Sequence, residues 1–294
     1  MCDEHTADDN EAYLAGVSRR QFAVMTGAMG LTMLLPAPAN AAVIKGRDVA
    51  ITTPDGKADA YFVAPATGKH PGVLIWPDIM GLRPAFRQMA DRLAQSGYAV
   101  LVVNQFYRST KAPFLAPGES YDQPAVRARI APFREALTSE GTVRDAKAFT
   151  AFIDAQPQTD RKRGMATTGY CMGGPMVMRT AAAASNRIRA GATFPGGGFV
   201  TDKPDSPHLL IPQMKGRYLI AIAANDDARA PTEKDTLRTA FAAAKLPAEI
   251  EVYEGTMHGW CPPDSKVYNP VQADKAWSRM LALFDKALVE EVRL

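Results

Sequence analysis

The stretch TTGYCMGG, residues 167–174, joins an apolar run to a helix of small residues and decides the fold. Its pattern, Gly-x-Cys-x-Gly-Gly, is typical of a sharp strand-to-helix turn that holds a nucleophile at the N-terminus of the helix. Gly169 and Gly173 carry no Cβ, so strand and helix can approach closely around Cys171. The helix N-terminus favours a thiolate at this cysteine and leaves N–H groups for an oxyanion. The alternative is a buried structural cysteine in a glycine-rich turn.

Strand and helix patterns alternate along the rest of the chain. Short apolar runs at 72–76 and 98–103 are typical of strands buried on both faces, and helical spacing at 84–96 lies between them. The alternation predicts an α/β fold: a mostly parallel central sheet with helices on both faces and a ligand site at the carboxyl ends of the strands. Further strands are expected at 48–53, 59–64, 163–168, 188–194, 218–223 and 248–253, and further helices at 122–137, 142–155, 175–184, 231–244 and 269–290.

Length and composition favour one large domain. The chain has 294 residues, of which 47% are hydrophobic and 22% charged, enough to bury a sizeable core. We assign residues 43–294 to this domain. The net charge is only +3 and no Lys/Arg-rich run is present, so we expect no nucleic-acid partner. Three cysteines are too few for a disulfide framework, and no His/Cys/Asp cluster has metal-ligand spacing, so we expect neither a metal nor another cofactor.

Three short motifs together resemble the dienelactone hydrolase family, a cysteine branch of the α/β-hydrolases. They are GYCMGG at 169–174, PDIMG at 77–81 and MHGW at 257–260, and the resemblance covers about residues 47–290. It implies the α/β-hydrolase fold and the hydrolysis of an enol-lactone of the carboxymethylenebutenolide type.

An acid and a base follow Cys171 in the chain order of α/β-hydrolases, nucleophile, acid, base. The base is His258, in the loop after the last strand. The acid, which would hold the tautomer of the histidine, is Asp226 or Asp227. When residues are counted from the end of the preceding strand, Asp226 falls at the position of the acid in the resembled family. When they are counted back from Pro231, Asp227 falls there. We slightly favour Asp226, because a rigid strand sets geometry better than a loop proline does.

The resemblance also implies roles for the loop at 77–81. In the family, the corresponding loop holds a glutamate near the thiol and donates a backbone N–H to the oxyanion hole. By position, Asp78 would be that acid, and the N–H groups of Ile79 and Met172 would bind the oxyanion. Asp78 has one methylene fewer than the family's glutamate, which puts the carboxylate–thiol interaction in question; the alternative role is a helix-capping or loop acid.

A second loop, 105–123, contains several aromatic residues and one arginine above a strand end. Such a composition predicts a pocket for an anionic, partly apolar substrate. Arg108 is the candidate ligand for a substrate carboxylate, with the alternative of a surface arginine. Tyr107 and Trp260, which is close to the base in sequence, are further substrate-binding candidates.

Residues 1–42 are expected to be a leader separate from the fold. SRRQF at 18–22 is a twin-arginine signature, and an apolar run and PAPANAA at 36–42 complete a cleavable export signal. The run is too short for a comfortable membrane span, so we expect no stable membrane anchor. We expect the twin-arginine export machinery as a partner and a periplasmic or secreted location. The segment before the arginines is acidic, whereas export signals are usually basic there. The alternative to an export signal is a disordered tail followed by a buried helix.

These features predict acyl transfer on a small-molecule ester or lactone through Cys171, His258 and one of the two aspartates. A generic periplasmic carboxylesterase or thioesterase with the same triad is the first alternative. A different class, a non-hydrolytic binding protein or a thiol-redox protein pairing Cys171 with Cys261, is the second. No Cys-x-x-Cys motif supports redox chemistry.

Overall fold

The computed structural model describes residues 4–16, 35, 38, 40–194 and 197–289. The strands in these ranges are β1 (Ile44–Thr53), β2 (Gly56–Pro65), β3 (Gly72–Trp76), β4 (Ala99–Val103), β5 (Met165–Tyr170), β6 (Ile188–Phe194), β7 (Arg217–Ala223) and β8 (Ala248–Tyr253). The helices are α1 (Glu4–Gly16), α2 (Pro84–Gln95), α3 (Pro124–Glu135), α4 (Ser139–Ala155), α5 (Gly173–Ala183), α6 (Ala224–Arg229), α7 (Glu233–Ala243) and α8 (Pro270–Leu288), with a short 3-10 helix at Pro207–Gln213.

The strands form one sheet in the order β1-β2-β4-β3-β5-β6-β7-β8. β1 and β2 form an antiparallel hairpin, and β2 pairs antiparallel with β4. The pairs from β4 through β3, β5, β6 and β7 to β8 are all parallel. The predicted α/β fold with a mostly parallel sheet is therefore confirmed.

Two hydrophobic layers cover the two faces of the sheet. Successive residues of a strand point to opposite faces, so Ile75 of β3 packs in one layer and Leu74 in the other. The first layer holds core residues of α2 and α8, including Phe86 and Phe284. The second holds those of α4, α5 and α7, including Phe149. Helices on both faces explain why β3 and β4 are apolar along their whole length.

The parallel strands bring four chain segments to one edge of the sheet. β3, β5, β7 and β8 run in the same direction, so the loops that follow them leave at the same carboxyl edge. These loops carry Asp78, Cys171, Asp226 and His258. Residues separated by up to 180 positions in sequence thereby come together.

Some local elements differ from the sequence expectations. Helix α4 begins three residues before the predicted start, because Thr138 Oγ1 accepts a hydrogen bond from the Gly141 N–H and caps it. The 3-10 helix and α6 occupy segments that showed no helical periodicity. Helix α1 lies in the leader, which we expected to be separate, and packs against the loops at the carboxyl edge. The twin-arginine signature itself lies outside the described residues, and no helix inside them is long and apolar enough to cross a membrane.

Candidate active site

The turn between β5 and α5 has the strained geometry that its glycines predict. Cys171 has a φ of 53°, in the left-handed region that a residue with a Cβ rarely adopts. Its N–H donates to the Phe194 carbonyl, 3.0 Å away, which fixes the turn against β6. A Cβ on Gly169 would lie 2.1 Å from the carbonyl oxygen of Gly173, and one on Gly173 would lie 2.4 Å from that of Trp76. Only glycine therefore fits on either side of the cysteine.

His258 lies between the cysteine and an aspartate and contacts both. Its Nε2 lies 3.0 Å from the Cys171 Sγ, and its Nδ1 lies 3.0 and 2.8 Å from the two carboxylate oxygens of Asp226. All three side chains are buried, with 3% of Cys171 and 2% of His258 exposed. The structure thus brings together Cys171, His258 and one of the two candidate acids.

Asp227 has a different partner. Its carboxylate pairs with the Lys234 ammonium at 2.6 Å. Both aspartates lie in α6, where adjacent side chains diverge by about 100° around the axis, so only one of them can face the histidine. The strand-based count, which gave Asp226, agrees with this geometry.

Two further polar residues hold the acid and base loops together. Asn225 Oδ1 accepts the backbone N–H of His258 at 2.8 Å, and Thr256 Oγ1 accepts that of Ala224 at 3.3 Å. The sequence analysis missed both residues. Asn225 directly precedes the acid at the end of β7, which is the only sequence signal that could have identified it.

The electrostatics of the three residues favour an ion pair at the cysteine. Burial alone lowers the pKa of the His258 imidazole, but the Cys171 sulfur and the Asp226 carboxylate outweigh burial and raise that pKa well above its ordinary value. Burial likewise acts to raise the pKa of Asp226, yet the attraction of His258 holds it below the usual range. An imidazolium next to the sulfur is the partner that a reactive thiolate needs.

The two predicted oxyanion donors lie beside the cysteine. Ile79, Met172 and Cys171 pack in the same small apolar cluster at the carboxyl edge. Within the described part of the chain, neither the Ile79 nor the Met172 N–H makes a backbone–backbone hydrogen bond outside the helices and strands.

Asp78 lies in a buried ion-pair network. The Arg83 guanidinium binds its carboxylate in a bidentate manner at 2.7 and 2.9 Å, and also binds Asp264 at 2.6 and 2.9 Å. Burial raises the pKa of Asp78, and Arg83 opposes this shift without reversing it. The sequence analysis missed Arg83 and Asp264, which are 181 residues apart and show no shared pattern.

A cavity of about 540 Å³ opens beside Cys171 and His258. Asp78 and Ile79 line it, as expected, together with Tyr121 of the aromatic loop. Two basic residues that the sequence analysis did not select, Arg127 and Lys266, and several residues of α1 complete the wall. The volume suits a small organic molecule.

The three substrate-binding candidates do not line this cavity. Arg108 binds the fully buried carboxylate of Asp145 through two nitrogens at 2.8 Å and also pairs with Asp55. A buried carboxylate requires such a partner, which corrects the expectation that Arg108 faces the substrate. Tyr107 donates its hydroxyl to Asp145, and Trp260 stacks in the core on Tyr253 with ring centroids 4.9 Å apart.

Cys261 lies in the core layer under α8 rather than in the cluster around Cys171. Burial raises its pKa well above the ordinary value, which disfavours the thiolate needed for disulfide exchange. Neither cysteine forms a disulfide. Across the ranges that the structure describes, no group of three or more His, Cys, Asp and Glu residues is placed to hold a metal ion.

Comparison with known proteins shows the family to which the chain belongs. The family model described as the dienelactone hydrolase family matches residues 58–288. The chain is 26% identical over 257 residues to a carboxymethylenebutenolidase from Rhodococcus opacus, covering 86% of this chain and 94% of that protein. It is 31% identical over 210 residues to carboxymethylenebutenolidase 2 from Cupriavidus pinatubonensis, covering 70% and 80% of the two chains.

Solved structures show the same fold. A dienelactone hydrolase from Anabaena variabilis superposes with a TM-score of 0.59 at 16% identity, covering 83% of this chain and 99% of that one. A dienelactone hydrolase-like promiscuous phosphotriesterase from metagenomic libraries superposes with a TM-score of 0.68 at 20% identity, with the same coverage. The solved structures share its fold, and the matched family makes this chain a hydrolase and a member of the dienelactone hydrolase family.

Proposed function

We propose that this protein hydrolyses a small-molecule ester or lactone, of the carboxymethylenebutenolide type or close to it, through a thioester acyl-enzyme on Cys171. One observation carries the proposal: a single buried imidazole lies 3.0 Å from a cysteine sulfur and 2.8 Å from a carboxylate. The names of the relatives in two bacteria support the substrate class. The strained turn supports the choice of nucleophile, because it places Cys171 in the wall of the cavity.

In the first half of the reaction the Cys171 thiolate attacks the substrate carbonyl. The carbonyl oxygen becomes an oxyanion, and the N–H groups of Met172 and Ile79 stabilise it. When the intermediate collapses, the carbon–oxygen bond to the leaving group breaks, and the His258 imidazolium gives its proton to the departing oxygen. In a lactone this oxygen stays attached to the acyl group. The product of this half is a thioester on Cys171.

In the second half water releases the acyl group. Neutral His258 takes a proton from a water molecule, which attacks the thioester carbonyl, and the carbon–sulfur bond then breaks. The products are a carboxylic acid, the thiolate and a restored imidazolium. Asp226 holds the histidine in the required tautomer and stabilises its charge throughout.

We further propose that Asp78 positions the loop that carries the Ile79 N–H. Its carboxylate accepts the Met80 N–H at 2.9 Å and binds Arg83, while Gln105 donates to its backbone carbonyl at 2.7 Å. These contacts support a positioning role for Asp78, because they fix both its carboxylate and its backbone directly before Ile79. They leave the family's carboxylate–thiol exchange without support in this chain.

The test is a substrate panel of lactones, aryl esters and thioesters. The full chain is compared with Cys171→Ala and with the matched control Cys261→Ala, a second buried cysteine. We expect Cys171→Ala to lower kcat/KM by about 1,000-fold or more on every accepted substrate, and the control to retain activity. The panel also separates a lactonase from a general esterase or thioesterase. Equal activity of Cys171→Ala and the wild type would contradict the proposal.

We also propose that the twin-arginine machinery exports the folded chain to the periplasm. The support is the signal pattern at residues 18–42. Replacing Arg19 and Arg20 by lysines is expected to keep the protein in the cytoplasm, measured by cell fractionation and immunoblotting. Equal export of the variant would rule out this route.

A further inference from the structure

The segment ahead of the paired arginines has a composition that the proposed function leaves unexplained. It carries five acidic residues, whereas export signals are usually basic there. Four of the five lie in α1, residues 4–16. An acidic helix has no evident role in export, but its contacts in the structure indicate a different role.

Helix α1 docks on the loops that hold the acid and the base. Asp9 forms an ion pair with Arg229, and Asn225 donates to the same carboxylate at 3.4 Å. Asn10 Nδ2 donates to the backbone carbonyl of His258, also at 3.4 Å. The acidic charge of the helix is thus complementary to a cation at the end of α6, next to the active-site acid.

The same helix forms a wall of the cavity beside Cys171. The lining residues of α1, in the same cavity as Cys171 and His258, are Thr6, Asp8, Asn10, Glu11 and Leu14. Thr6 is almost completely buried, with 4% exposed, so the contact is a packed one. With this wall in place, a substrate reaches the sulfur through a narrower opening than the loops of the hydrolase domain alone would leave.

We propose that residues 4–16 act as a pro-segment that docks in cis on the active-site rim and restricts access to Cys171 for as long as the leader is attached. This inference rests on the proposed function of the same site. It gives the acidic residues a role: Asp9 binds Arg229, and Asp8 and Glu11 add negative charge to the cavity wall, which disfavours anionic substrates. Removal of the leader opens the site.

The strength of the contact depends on covalent attachment. The Asp9 and Arg229 side chains are partly exposed, and pairs of this kind contribute little by themselves. In one chain, however, docking is intramolecular and occurs at a high effective concentration. After cleavage the same peptide must bind from solution. A segment held this way blocks the site before cleavage and dissociates afterwards.

The test compares the wild type, two full-length variants and one shortened chain. Asp9→Arg reverses the charge that binds Arg229, and Ala12→Arg is the matched control, because it puts the same side chain on an exposed position of α1 that does not line the cavity. The shortened chain lacks residues 1–16 and retains every strand of the sheet. Two quantities are measured: kcat/KM for an aryl acetate, and the rate of alkylation of Cys171 by a bulky maleimide, read on the Cys171 peptide by mass spectrometry.

We expect Asp9→Arg and the shortened chain to exceed the wild type in both quantities by about fivefold or more, and Ala12→Arg to stay within about twofold. Rates for Asp9→Arg and the shortened chain that both equal the wild type would overturn the inference. If no chain hydrolyses the ester, the proposed function fails. The alkylation rates then decide the inference alone, since they require no turnover.

Discussion

Adjacent aspartates at the end of β7 have different electrostatic surroundings, although their sequence positions are nearly equivalent. Asp226 faces His258, and Asp227 faces Lys234. From the sequence, two ways of counting gave two answers, because the pattern does not reveal that both residues lie in a short helix. Once α6 is present, its geometry separates the two side chains.

Replacing each aspartate by asparagine therefore gives a matched pair of variants. Asp226→Asn removes the charge that holds the tautomer and stabilises the imidazolium, so kcat/KM for an activated ester should fall by about 100-fold to 10,000-fold. Asp227→Asn loses only a partly exposed ion pair and should stay within about threefold. Steady-state kinetics on both variants measures this difference. A larger loss of kcat/KM in Asp227→Asn than in Asp226→Asn would make Asp227 the acid.

The raised pKa of His258 leads to a prediction about pH. Because the pKa lies above its ordinary value, the imidazole stays protonated through neutral pH and loses its proton only in alkaline solution. We therefore expect the imidazolium to favour a thiolate at Cys171 on the acidic side of neutrality. The alkylation rate of Cys171 by iodoacetamide should be nearly constant from about pH 6 to 8 in the wild type.

His258→Ala should remove this plateau. Without the imidazolium, alkylation should fall about tenfold for each pH unit below the ordinary thiol range near pH 8.5. His208→Ala is the control, because His208 bonds to Ser206 and does not line the cavity. A His258→Ala profile that matches the wild type would show that the imidazole does not stabilise the thiolate.

At the scale of elements, the sequence predicted what hydrophobic periodicity encodes. The buried strands β3 and β4 and the amphipathic helices α2, α4 and α8 follow from apolar spacing. Elements with no such spacing were missed, namely α1, α6 and the 3-10 helix at 207–213. Contacts between distant loops were also missed: Arg83 pairs with Asp264 only because the fold brings the two together.

The strand-to-helix turn gives a prediction at this scale. A methyl group on Gly169 would collide with the backbone of Gly173, so β5 and α5 must separate. Gly169→Ala should lower the free energy of unfolding by about 1–3 kcal/mol. It should also lower kcat/KM by about 100-fold, because the sulfur moves relative to His258.

Chemical denaturation and ester hydrolysis measure the two effects of Gly169→Ala. Gly16→Ala is the control, since its added methyl group meets no atom within 4 Å. If Gly169→Ala were as stable and as active as that control, the close approach of strand and helix would not be needed for the site.

At the scale of the whole molecule, one sheet with its helices spans the chain from β1 to α8, and the family match covers residues 58–288 of it. The proposed pro-segment adds control of access to the site. The topology decides which strand ends meet, so Cys171, Asp226 and His258 converge although they follow three different strands. The motifs identified Cys171 and His258 and reduced the acid to Asp226 or Asp227, because each candidate lies in the segment that follows a strand. They did not identify which basic side chains face the cavity, since that depends on loop packing. Arg108 serves a buried carboxylate instead, and Arg127 and Lys266 line the site.

The most direct test of the central claim is to trap the acyl group. The full chain is mixed with an activated aryl ester, quenched in acid within the first turnover and digested for peptide mass spectrometry. Our account predicts a mass increase of one acyl group on the peptide that contains Cys171, absent from Cys171→Ala. Rapid ester hydrolysis by Cys171→Ala, or an acyl group found on another residue, would contradict it.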